Sequence, residues 1–160
     1  MLIRKAVSAD AQAVFELRNA AINAQCAAHY AAADLKIWTS GEMSDSLIRH
    51  VETICHVAVI EGTVAGTCML DLVSGQVDAI FVHPAFMRRG IGRQMMQHLQ
   101  SLAQEAGLAS LHLSATLNAV AFYRSLGFTG DTIAQYKSPR GISLDCVPMV
   151  KPIRLTAEAK

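Results

Sequence analysis

The stretch from Cys55 to Val82, CHVAVIEGTVAGTCMLDLVSGQVDAIFV, constrains the fold more than any other part of the chain. Its β-branched side chains and strand-like apolar period are cut by two turn signals, Glu61-Gly62 and Ser74-Gly75. Three antiparallel strands joined by tight turns are the simplest solution, and the flanking sequence reads differently. Upstream, LIRKAV reads as a short strand. It precedes a helix over SADAQAVFELRNAAINAQ, with Ser8 as N-cap and Ala13, Val14, Leu17, Ala20 and Ala21 at helical spacing. The pattern weakens from Cys26 to Gly41, where a short helix fits Ala33 to Trp38. SDSLIRHVET then gives a further helix, capped by Ser44 or Asp45, with Leu47, Ile48 and Val51 as its apolar stripe.

Downstream, RQMMQHLQSLAQEAG is helical, with Ile91, Met95, Leu99, Leu102 and Ala106 on one face and Gly107 placed to end it. SLHLSAT is a strand, and LNAVAFYRSLGF is a short helix from about Asn118 to Gly127. TIAQYKS and ISLDCVPMV close as a hairpin around Pro139 to Gly141. A chain of 160 residues that is 52% apolar buries one core, so the expectation is a single mixed α+β domain over 1–153 with a polar tail at 154–160.

A net charge of +1 gives no general attraction to nucleic acid or anionic lipid. No apolar run reaches membrane-spanning length, and MLIRKAVSAD lacks a signal-peptide core, so a soluble, cytoplasmic protein without a membrane or nucleic-acid partner is expected. The four cysteines, Cys26, Cys55, Cys68 and Cys146, show no metal-binding spacing, and the six histidines include no HExxH pair. No metal is expected.

Any anion site must therefore be local, and HPAFMRRGIGRQMMQHL, from His83 to Leu99, offers one. A strand that feeds Gly90-Ile91-Gly92 at a helix start exposes unpaired backbone N–H groups at the positive end of the helix dipole. Arg88, Arg89 and Arg93 add guanidinium forks suited to phosphate oxygens. Met95 stands where a dinucleotide fingerprint needs its third glycine, and no Lys-Ser or Lys-Thr closes a Walker loop. Two glycines alone leave two readings open, a phosphate cradle or close packing beside a solvated arginine face.

One helix and one strand later comes NAVAFYRSLGF, from Asn118 to Phe128. Taken with Val82, Pro84 and the RRGIG turn, it resembles the GCN5-related N-acetyltransferase (GNAT) superfamily, whose fold the inferred order β-α-α-β-β-β-α-β-α-β-β also matches. The resemblance implies that acetyl-coenzyme A is the cofactor. Its pyrophosphate would be held by main-chain amides of Arg88, Arg89, Gly90, Ile91, Gly92 and Arg93, and its pantetheine arm would pair like an added strand with Phe81 and Val82. Met87 stands where the family commonly has Gln or Arg, which removes one side-chain contact and leaves the amides untouched.

By the same resemblance Tyr123 is the general acid beside the cofactor sulfur, and Asn118 is an N-cap, a ligand, or both. A main-chain N–H between Ile80 and Val82 meets the oxyanion. For the base, strand alternation puts Asp78 on the face of Ile80 and Val82, opposite Ala79 and Phe81; Asp71, His112 and a water relay are its rivals. The acceptor, a primary amine of a small molecule or peptide, is expected beside Cys26 to Trp38, where His29, Tyr30, Asp34 and Trp38 offer aromatic surface and a carboxylate. ISLDCVPMV could be the edge through which two copies pair. The alternative is a non-catalytic acyl-coenzyme A sensor, and a nucleotide-phosphate enzyme is the third class.

Overall fold

A computed structural model describes residues 1–138 and 140–154 of the chain. The N-terminal half runs β1 (Leu2–Lys5), α1 (Ala11–Gln25), α2 (Ala32–Thr39), α3 (Asp45–Thr53), β2 (Cys55–Ile60), β3 (Thr63–Leu70) and β4 (Val77–Val82). The rest is α4 (Ile91–Glu105), β5 (Ser110–Thr116), α5 (Val120–Ser125), β6 (Ala134–Lys137) and β7 (Ser143–Pro152). Three helices, rather than the two of the inferred order, lie between the first two strands, because each of the three upstream helix signals forms. Ser44 is the cap of α3, its side chain accepting from Leu47 N at 3.1 Å. Ser8 does not cap α1. It opens a 3-10 turn, and the Asp10 carboxylate takes the Val7 N–H at 2.8 Å and both Arg4 guanidinium nitrogens at 2.8 and 3.0 Å.

All strand pairings are antiparallel, in two sheets ordered β1-β2-β3-β4 and β5-β7-β6. The sheets meet through a parallel bridge of Gln76 with His112 and the bond from His112 N to Gly75 O at 3.1 Å. Beyond that point β4 and β5 diverge. β7 lies between β5 and β6, so the stretch expected to be a free pairing edge is instead the centre of its sheet, and β6 holds the edge. The β6–β7 turn closes through Ser138 N to Ile142 O at 2.8 Å; Pro139 and the tail residues 155–160 lie outside the described residues. Among the described residues no helix is long and apolar enough to cross a membrane.

The main core sits between the sheets and α4, where Met95, Met96, Leu99, Leu111 and Phe128 are fully buried. A second cluster packs α1 and α3 on the other face of the first sheet, around Val14, Val51, Val57 and Met69. Gly66 lets α4 lie close: a Cβ there would come 2.9 Å from the Met95 Sδ and Cε and 3.1 Å from Ile91 Cγ2. The flexible Met95 tip can yield to one methyl group but not to a branched side chain. Gly66→Val is therefore expected to cost about 1–3 kcal/mol by overpacking, read as a lower Tm in calorimetry; an unchanged Tm contradicts this seating of α4.

Across the same interface His56 Nδ1 of β2 and His98 Nε2 of α4 are 3.1 Å apart. Burial, then repulsion by His98 and Lys5, pushes His56 down to about 4, and burial also lowers His98. A histidine depressed in the folded state is protonated first in the unfolded chain, so its contribution is present above pH 6.5 and is lost as pH falls toward 4. Denaturant titrations across that window should show a falling unfolding free energy whose slope is shallower in His56→Gln. Equal slopes would contradict the neutral pair.

Candidate functional site

Helix α4 begins at a turn whose backbone is set by two left-handed residues, Arg88 with φ 63° and Gly90 with φ 76°. Gly90 tolerates this conformation, whereas a branched residue does not. The first helical bond runs from Gln94 N to Gly90 O at 3.1 Å, so the amides of Ile91, Gly92 and Arg93 precede the ladder, and no side chain caps them. Ile91 is buried and anchors the turn to the core, while Arg88, Arg89 and Arg93 are exposed around it. The Arg89 guanidinium lies 5.4 Å over the Phe86 ring, and Ala85 N donates to His83 Nδ1 at 3.1 Å, which stiffens the approach from β4. Converging amides, a helix N-terminus and three guanidinium groups fit a diphosphate.

Gly92 has a second use. A Cβ there would meet Phe122 Cζ at 3.0 Å, so this glycine lets α5 pack against the mouth of α4. Close packing, one of the two readings the sequence leaves open, holds at Gly92, and it leaves the turn's amides without a side-chain cap.

The open edge of β4 adjoins this mouth. His83 N donates to Ala65 O at 2.8 Å while Val82 stands opposite Gly66, which makes that pair the wide, non-bonded kind. The N–H and C=O of Val82 therefore point away from β3, into the gap where β5 has diverged. Phe81, opposite Thr67, turns its backbone toward β3 instead, so of the two expected pantetheine partners Val82 presents the free groups. Gln25, at the end of α1, reaches the Val82 carbonyl with its Nε2 at 3.4 Å. Gln25 belongs to no motif in the sequence; its place one turn after Ile22 on α1 is the available signal.

Asp78 is not on the face of Ile80 and Val82. The β3–β4 register slips between Thr67 and Met69, with Ala79 at φ 52°, and this bulge inserts an extra residue into β4. Asp78 and Phe81 consequently share the α1 face with Met69 and Ala79, while Val77, Ile80 and Val82 pack on the α4 face. The carboxylate is exposed and accepts from Gln76 Nε2 at 3.3 Å. Of its rivals, Asp71 accepts from the amides of Val73 and Ser74 in the β3–β4 turn, and His112 holds Ser74 O at 2.8 Å.

Tyr123, on α5, is buried, its ring meeting Phe122 at 5.2 Å and Phe128 at 5.8 Å, both edge-on. Burial, followed by the proximity of Cys68 and Asp78, pushes its pKa upward, so the phenol keeps its proton through neutral pH. Asn118 is not an N-cap; it sits inside the 3-10 turn Leu117–Ala119, and its Oδ1 accepts from the Cys26 thiol at 3.4 Å. Burial raises that thiol to about 11, which keeps it protonated and unreactive.

The acceptor-side residues fall into two kinds. Tyr30 and Trp38 meet edge-on at 6.0 Å inside a cluster with Ile22, Cys26, Leu35, Ile142, Leu144 and Phe81, and Trp38 is only 8% exposed. The Tyr30 hydroxyl donates to Asp145 O at 2.6 Å and accepts from Leu117 N at 3.0 Å, so it ties β7 to the entry of α5 instead of lining an open aromatic box. His29 is exposed before α2, and Asp34 is partly exposed on it.

The acetyltransferase (GNAT) domain family matches residues 52–130, which hold the bulged strand, the α4 turn and α5. Over 81 residues the chain is 36% identical to the ribosomal protein bS18-alanine N-acetyltransferase of Salmonella typhimurium. That match covers 48% of this chain and 54% of the relative, so the chain spans about half the length of the curated relatives it matches. The structure is similar to a GCN5-related N-acetyltransferase from Rhodopseudomonas palustris, with a TM-score of 0.85 at 21% identity, covering 94% of each chain. It is also similar to the PaiA N-acetyltransferase of Thermoplasma acidophilum in complex with coenzyme A. There the TM-score is 0.76 at 17% identity, covering 94% of this chain and 98% of that one. At these identities the structural likeness establishes the fold.

Proposed function

We propose that this chain, whose residues 52–130 match the acetyltransferase (GNAT) domain family, moves an acetyl group from acetyl-coenzyme A to a primary amine of a small molecule or peptide, by direct attack in a ternary complex. The observation that carries this reading is the meeting of three features at one place: free amides at the mouth of α4, the Val82 N–H and C=O turned away from β3, and α5 with its buried phenol packed against Gly92. The coenzyme A complex of the PaiA relative supports the choice of cofactor.

When bound, acetyl-coenzyme A supplies the activated thioester. The amides of Ile91, Gly92 and Arg93 would hold the diphosphate, and the surrounding arginines would neutralise its charge. Val82 would pair its N–H and C=O with the pantetheine amides in place of the long contact from Gln25. Tyr123 keeps a proton on its Oη for the departing thiolate. Asn118 steadies the entry of α5 against α1. Asp78, on the α1 face with Phe81, takes the acceptor's ammonium proton through water. With its aromatic residues committed to the interior, the acceptor wall reads the amine through its exposed rim, where His29 and Asp34 lie.

An amine panel that includes peptide N-termini, with release of the coenzyme thiol as signal, tests this reading. The panel includes alanine N-termini because the Salmonella relative's name specifies such an acceptor. Amine-dependent thiol release is expected; saturable acetyl-coenzyme A binding without it would instead mark an acyl-coenzyme A sensor.

A further inference from the structure

Arg18 of α1 and Arg140 of the β6–β7 turn are held from one short segment. Both terminal nitrogens of Arg18 point to Trp38 O at 3.4 Å, and one also donates to Asn19 Oδ1 at 2.7 Å. Arg140 Nη2 donates to Glu42 O at 3.4 Å and lies over Gly41, where a Cβ would be 2.7 Å from its Nη1. Each of these acceptors is neutral. Among the described residues Arg4–Asp10 is the one ion pair, so neither Arg18 nor Arg140 has a carboxylate within reach.

Both guanidinium groups are thus held from residues 38–42, and both arginines are partly buried. Burial, then the charge of Arg140, lowers the Arg18 pKa, opposed by Tyr136 of β6. Capping the last turn of α2 accounts for the Arg18 bond to Trp38 O, but it does not account for a second cation brought beside the first. Two partly buried cations held from one segment, with neutral partners alone, attract an anion.

The pair stands on the acceptor wall. Arg18, Ile22 and Gln25 run along one side of α1; Ile22 packs in the cluster that holds Phe81, and Gln25 reaches Val82 O. Arg18 lies seven residues before Gln25, about 10 Å along the helix axis.

We propose that Arg18 and Arg140 bind a carboxylate of the acceptor, so that the amine acetylated also carries an acidic group. The position of the amine rests on the acetyl-transfer reading; the anion site does not. The carboxylate could belong to a free amino acid or to an acidic residue beside a peptide N-terminus.

The test compares matched pairs that differ only at the acid: β-alanine and γ-aminobutyrate against their amides, and the dipeptide Ala-Glu against Ala-Gln. Wild-type kcat/KM should favour the acid in at least one set by about tenfold or more, and the favoured set identifies the source. In Arg140→Gln, and in Arg18→Gln, the ratio should fall toward one. A ratio near one in the wild type, or one unchanged in both variants, overturns the proposal. Should no amine support thiol release, the transfer reading fails while the anion site is judged separately by calorimetric titration of the same acids: saturable binding lost in Arg140→Gln upholds it, and no binding overturns it.

Discussion

Tyr123→Phe is expected to lower kcat by about a hundredfold or more, the range for loss of a positioned general acid, with acetyl-coenzyme A affinity changed by less than about twofold, since the phenol is asked to act after binding. The substitution removes one oxygen and leaves the ring against Phe122 and Phe128, so the core should keep its packing and the Tm should barely move. Its pH profile carries a sign. Because burial raises the phenol pKa above its ordinary value of 10, the acidic form persists across neutral pH, and the wild-type rate should not decline from this group until the medium is strongly alkaline. The same shift means that the folded state loses stability relative to the unfolded chain once pH passes the unfolded value near 10. Stopped-flow thiol detection across pH checks both, and an undiminished kcat in the variant would remove Tyr123 from the chemistry.

The second large effect is at the turn. Gly90→Val forces a branched residue into a φ of 76°, where sterics cost about 1–2 kcal/mol, and the backbone relaxes away from the geometry that aligns the amides. Calorimetry should show acetyl-coenzyme A binding weakened by about ten- to a hundredfold, the loss of one or two charge-assisted hydrogen bonds. Gly92→Val acts differently, because its Cβ would meet Phe122 at 3.0 Å and push α5 outward. That variant should lose turnover as well as affinity, since α5 carries Tyr123. Gly107→Val is the control: its φ is 74° and its Cβ position is open, but it lies at the far end of α4, so it should lower stability without changing cofactor affinity. Equal affinity in all three variants and the wild type would contradict the cradle.

How much of this was legible in the sequence depends on the range of the physics involved. Turn residues and apolar periodicity act locally, and they placed the three strands of Cys55–Val82, the span of α4 and the short α5. Amide exposure at Gly90-Ile91-Gly92 is equally local. The side of the sheet on which Asp78 falls is not, because it depends on a bulge at Ala79 that balances β4 against β3 and leaves no mark in the alternation of β4 alone. Likewise, β7, expected as a free pairing edge from its place at the end of the strand order, becomes central because β6 folds back beside it. The wall residues show the same limit: Tyr30 and Trp38 look like aromatic surface, but bonds of Tyr30 with Asp145 and Leu117 and packing of Trp38 with Ile142 and Leu144, all far off in sequence, turn them inward. Arg18 and Arg140, separated by most of the chain, come to one segment only once the hairpin packs on α1 and α2.

The central claim is that main-chain donors at the mouth of α4 hold the diphosphate of the acyl carrier. Amide-resolved NMR during titration with acetyl-coenzyme A tests it most directly. The amide resonances of Ile91, Gly92 and Arg93 should shift downfield in step with saturation and more than those at the far end of α4. Saturable binding that leaves these three amides where they were would contradict the account.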